Sequence, residues 1–95
     1  MYYSFEAFRF KGFEKSDAQN KKYNAIIVDK VTKKETRVPF GDSRYSQYKD
    51  VTGLGLYSKN DTLDKKRRDL YRLRHAKDLK DGYYSPGYFS FYYLW

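Results

Sequence analysis

Lys65-Lys66-Arg67-Arg68, followed by Arg72, Arg74 and Lys77, is a dense run of positive charge in a chain of 95 residues. Placed on a helix, these seven side chains can contact the phosphates of a nucleic acid, with an affinity that falls steeply in salt. They can equally meet carboxylates on an acidic protein surface, or simply solvate one face of the helix. Tyr57 and Tyr71 lie close by in sequence and can stack on bases. His75, the one imidazole, sits between Arg74 and Lys77. It is the single acid/base candidate of its kind, but no Ser or Cys nucleophile can be matched to it, so packing or a structural hydrogen bond is its expected part. The carboxylates are scattered singly. Gly53-Leu54-Gly55 begins a nucleotide-type glycine loop, but Ser58 stands where the third glycine belongs and no Lys-Ser/Thr pair follows. With no Cys and one His there is no donor set for a structural zinc. The chain therefore reads as non-enzymatic, with no cofactor and no metal expected.

The second group of informative residues is the ending Gly82-Tyr-Tyr-Ser-Pro-Gly-Tyr-Phe-Ser-Phe-Tyr-Tyr-Leu-Trp95, in which eight of fourteen side chains are aromatic and none is charged. Tyr88, Phe89, Phe91, Tyr92 and Trp95, with Tyr71 and His75 from the preceding segment, are the expected core or interface residues. Large rings bury much area each, which suits a chain this small, and aromatic burial is also what interface cores use. The whole sequence is 21% aromatic and carries a formal net charge of +8, from twenty Lys/Arg against twelve Asp/Glu. A positive field of that size favours polyanions or acidic surfaces.

These residues need elements to position them. Residues 2–13 are aromatic-rich with partial alternation and predict a strand. Residues 23–31 alternate Tyr23, Ala25 and Ile27 against Asn24, Ile26 and Val28. After a polar turn, residues 36–40 place Thr36, Val38 and Phe40 together, with Pro39 marking an edge strand. The two make a β-hairpin. Residues 41–60 read as an irregular loop. A basic helix is expected over 61–81, capped by Asp61 or Thr62 and ended by Asp81-Gly82. Leu63, Leu70, Leu73 and Ala76 form its apolar stripe, with Tyr71 beside it and Lys65, Arg68 and Arg72 on the opposite side. Asp64 with Arg68, and Lys65 with Asp69, stand at pairing distance. Ser85-Pro86 opens a short second helix, a strand being the other reading of that aromatic segment. The expected fold is α+β in a single domain over 1–95: a small antiparallel sheet of hairpin plus N-terminal strand, the loop, the basic helix, and an aromatic C-terminal segment over 82–95 folded back on the sheet. Leu70, Tyr71 and Leu73 are expected to meet Phe89, Tyr92 or Trp95 in the core.

Phe40-Gly41, Tyr45 with Tyr48, Lys49-Asp50, Tyr71 with Arg74-His75, Pro86-Gly87, Ser90 and Leu94-Trp95 occur in an order that resembles a small basic domain family of unknown function. That family is found in large eukaryotic DNA viruses and marine phages. The resemblance covers about residues 38–95; Val51–Asn60 is insertion-like, and Phe91-Tyr92-Tyr93 stands where the family more often shows Arg-Trp-Leu. It implies a viral setting and, since the family has no known activity, no mechanism. The partners it implies are other virion proteins such as capsid, with nucleic acid as the alternative partner of the basic helix and a homo-oligomer compatible with either. The expected location is the virion, and before assembly the interior of the host cell. Met1-Tyr-Tyr-Ser-Phe-Glu shows no export signal, and no apolar run approaches the ~20 residues of a membrane span.

Overall fold

A computed structural model describes residues 3–79 and 83–95. Three strands, β1 (Phe8–Lys15), β2 (Lys21–Asp29) and β3 (Glu35–Asp42), form an antiparallel sheet in that order, with β2 in the middle. The α+β architecture read from the sequence is the one observed. β2 and β3 follow the expected alternation: Tyr23, Ala25 and Ile27 face Val38 and Phe40 in the core. Pro39 lies opposite Asn24 on β3, an edge strand.

β1 starts at Phe8, six residues later than the aromatic pattern suggested, and residues 5–7 form a turn. Within β1 the register shifts between Phe10 and Gly12. That bulge resets the alternation, so Phe8, Phe10 and Phe13 all pack against the core. Tyr3 lies before the strand: its carbonyl accepts from the Tyr84 amide at 2.8 Å, tying the start of the chain to its end.

The final helix, α2 (Pro86–Tyr93), opens as the sequence indicates. Ser85 Oγ accepts from the Tyr88 amide at 3.1 Å and Pro86 occupies the first turn. α2 lies on the sheet and sinks Phe89 completely, its ring centroid 5.5 Å from Phe40 and 5.6 Å from Phe10. Leu94 closes the same core. Gly41 lets it do so: its φ is +73°, and a Cβ there would stand 2.8 Å from Leu94 Cδ1.

The opposite face of the sheet carries ion pairs around the apolar Ile26 and Val28. Lys11 and Arg37 pair with Glu35, and Arg37 also with Glu14, linking β1 to β3. Each such exposed pair is worth little, about 0–1 kcal/mol, but together they neutralise the charges of that face.

Candidate functional site

The basic helix, α1, spans Lys65–His75 and continues as a 3-10 turn over Ala76–Leu79. It begins later than expected. Asp64, rather than Asp61 or Thr62, is its cap: Oδ1 accepts from the Lys66 and Arg67 amides at 3.1 and 3.2 Å. With its carboxylate turned to the backbone, Asp64 is not paired with Arg68; Arg68 instead meets the adjacent Asp69 at 3.3 Å. The expected stop at Asp81-Gly82 lies outside the described residues.

Asp61 has another task. Its Oδ1 accepts from Gln47 Nε2 at 2.7 Å and from the Asp50 amide at 2.9 Å. Gln47 is fully buried, and its Oε1 accepts from Nζ of Lys22, itself almost wholly buried. Asp50 in turn accepts from the Tyr23 hydroxyl, which also receives the Leu56 amide at 3.0 Å. Burial pushes the Lys22 ammonium below its ordinary pKa, against the pull of Asp50, Asp42 and Asp61. Burial, then the bond to Asp50, pushes Tyr23 up to about 12. This polar network fastens the irregular loop to β2. The loop in turn covers the end of α2, where the Tyr48 and Lys49 amides donate to Leu94 O at 2.9 and 3.1 Å. That carbonyl, at the end of the helix, has no partner within it.

Held at the end of this loop, α1 rests on the molecule by one edge. The Tyr71 ring stacks on Trp95, centroids 4.5 Å apart and 9° from parallel, and meets His75 on its own helix at 4.4 Å. Arg72 donates to the Trp95 main-chain oxygen from Nε and Nη2, at 3.2 and 3.0 Å, and lies 5.5 Å from the Phe91 ring centre. Arg68 lies 4.7 Å from the centre of the Tyr48 ring. Such stacking of guanidinium on rings suits arginine. No residue of α1 is buried.

The helix is thus turned about its axis relative to the expected orientation. Arg68 and Arg72 face the molecule. The apolar stripe faces away: Leu70 is 52% exposed and Leu73 78%, and neither belongs to the core. Leu63 and Ala76 are exposed as well. The reason is competition for space. Phe89 and Leu94 fill the sheet face, leaving α1 only the ring surfaces at the chain's end, which planar and cationic side chains cover better than leucine. Among the aromatic residues expected in the core or at an interface, Phe89 is buried, Tyr88, Phe91 and Trp95 are half-buried, and Tyr92 is 52% exposed.

The seven cations divide accordingly. Arg68, half-buried, and Arg72, exposed but bonded to the Trp95 oxygen, hold α1 to the molecule, whereas Lys65, Lys66, Arg67, Arg74 and Lys77 are exposed. Among the described residues, none of these five forms an ion pair, in contrast to Lys11, Arg37 and Arg44 near the sheet. Arg67 and Arg74 border an open groove of about 550 Å3 between α1 and the loop, lined by Leu70, Leu73, Tyr71, Trp95 and Tyr45. A second cavity of about 210 Å3 adjoins it, sharing Tyr45, Tyr71 and Trp95 and reaching Lys22 and Leu94. Tyr45 entered the sequence reading only through the family resemblance, not as a site residue, and the Lys22 network was not singled out; both depend on contacts between positions far apart in the chain. Among the described residues no group of three His, Cys, Asp or Glu is placed to hold a metal ion, and no helix is long and apolar enough to cross a membrane. Comparison with protein-family models, curated proteins and solved structures finds no match for this chain.

Proposed function

We propose that this is a non-enzymatic binding protein of a viral particle, a minor capsid, cement or internal component, whose α1 surface engages an acidic partner. The observation that supports the binding role most is the unmatched charge on α1. Five cations, four on α1 and Lys77 on the 3-10 turn that continues it, stand exposed without ion pairs among the described residues, beside leucines that the fold leaves uncovered. A helix serving only its own domain would turn its leucines inward. The viral setting rests on the resemblance over residues 38–95. In that setting α2 and the sheet form the body, and α1 is directed at packaged genome or an acidic capsid surface. Mass spectrometry of purified particles tests it: the protein is expected in a fixed ratio to the capsid protein, and its absence from particles overturns the reading.

A second reading is a stand-alone viral nucleic-acid-binding protein acting in the infected cell. It is favoured by the nearness of Arg67 and Arg74 to the ring-lined groove. Binding to oligonucleotides that weakens steeply with salt, together with absence from particles, would select it.

A further inference from the structure

We infer that the groove between α1 and Trp95 is a docking site for an acidic amphipathic protein segment, one that inserts a bulky apolar side chain between carboxylates. This rests on α1 being the partner-facing surface and names the chemistry of the partner. Three features of the groove specify it. Its wall is aliphatic, since Leu70 and Leu73 project from α1 into solvent. Its rim is cationic, since Arg67 and Arg74 border it and form no ion pair among the described residues. Two of its three rings are already engaged with each other, Trp95 lying face to face with Tyr71, which leaves Tyr45 as its one exposed ring among the described residues.

The third feature separates protein from nucleic acid. A single strand gains its affinity by laying bases on open ring faces, and the Tyr71–Trp95 stack uses up one face of each ring. Exposed leucines add nothing for a base but are what an amphipathic segment covers when it enters a groove. Charge complementarity fixes the sign. Arg67 and Arg74 are seven residues apart, which on a helix is about 10 Å, so a partner with carboxylates two turns apart and an apolar anchor between them meets both rims at once. The adjoining cavity shares Tyr45, Tyr71 and Trp95 with the groove and adds Leu94 beside the polar Lys22 and Asp42.

Trp95 is the sole tryptophan and lines both spaces, so its fluorescence reports occupancy directly. The test is a selection of random 16-residue peptides displayed on phage against the full chain, followed by titration of the enriched peptides while Trp95 emission is recorded. A 20-nucleotide oligothymidylate is titrated in parallel. Peptides rich in Asp/Glu around Leu, Phe or Trp are expected. Their affinity is expected to drop about tenfold or more in L70S/L73S and in R67E/R74E, both of which alter exposed positions and leave the core intact. Failure of the selection to enrich acidic–apolar peptides overturns the inference. If oligothymidylate then binds and is lost in R67E/R74E, α1 still stands as the binding surface. If acidic peptides bind but ignore both double variants, the groove is not their site and the reading of α1 falls with the inference.

Discussion

The two helices of this molecule differ in how far each takes the role its sequence suggests: α2 folds onto the sheet as expected, whereas α1 leaves its leucine stripe uncovered. α1 has eleven residues, an aspartate cap and a leucine stripe, and buries no residue fully; α2 has eight residues, is apolar almost all round, and supplies the centre of the core. What separates them is access to the sheet. α2 lies on the aromatic face made by Phe10, Phe13 and Phe40 and fills it with Phe89. α1 arrives through a loop held by hydrogen bonds and finds that face occupied. A helix's apolar pattern shows which side is suited to burial; whether that side is buried depends on what else competes for the same surface.

The sharpest way to break this contrast is to remove one large side chain from each helix. Phe89→Ala leaves a cavity under a fully packed sheet and is expected to cost about 3–5 kcal/mol, read from the urea midpoint. Leu73→Ala is expected to stay within about 0.5 kcal/mol. Comparable losses from the two would mean that α1 shares the core.

High pH separates the sheet from its loop. Tyr23 has its pKa raised to about 12, against about 10 in the unfolded chain. Between those values the folded state keeps a proton that the unfolded state has released, so stability is fully present below pH 10 and falls as pH rises toward 12. Two pH units amount to about 3 kcal/mol. Lys22 acts in the opposite sense. Its pKa is lowered on folding, so the cost of burying its charge is relieved as pH rises through that lowered value, and no further gain comes above its unfolded pKa. Denaturant titrations from pH 9 to 12 are expected to show the Tyr23 loss, much reduced in Tyr23→Phe. An unchanged slope in that variant would place the linkage elsewhere.

Gly41→Ala probes the junction of β3 with the end of α2. At φ +73° a Cβ is strained, and Leu94, against which it would press, is buried and has little room to move. A loss of about 2 kcal/mol is expected in thermal or chemical unfolding. An alanine tolerated without loss would show that Leu94 can withdraw and that α2 is less firmly seated than the contrast requires.

How far these features could be read in advance follows from their range. The β2–β3 hairpin was legible because alternation over Tyr23–Val28 and Thr36–Phe40 is local. The Ser85-Pro86 opening of α2 was legible for the same reason. The β1 bulge was not, since the single extra residue that brings Phe13 to the same face as Phe10 leaves no local mark. The rotation of α1 was illegible because it depends on Phe89 and Leu94 having already claimed the sheet. Of the seven cations, the sequence located the right segment. It could not tell Arg68 and Arg72, engaged by Tyr48, Phe91 and the Trp95 oxygen, from the five without such partners among the described residues. The buried Lys22–Gln47–Asp61 chain gave no signal at all, because it joins positions 25 and 14 residues apart.

The mildest test concerns the capping carboxylates. Asp61 and Asp64 look interchangeable in sequence, yet one braces the loop and the other starts α1. Asp64→Ala removes the acceptor for the Lys66 and Arg67 amides and is expected to cost about 1 kcal/mol. Because α1 meets the rest of the described molecule chiefly through Arg68, Tyr71 and Arg72, that cost should be felt locally. Amide exchange at Lys66, Arg67 and Arg68 is expected to quicken while the β2 amides stay protected. Asp61→Ala should do the reverse, loosening Gln47 and Asp50 with the first turn of α1 intact. Slowly exchanging β2 amides that quicken equally in Asp64→Ala would show α1 to be an integral part of the cooperative unit, and the division of labour between the two helices would have to be redrawn.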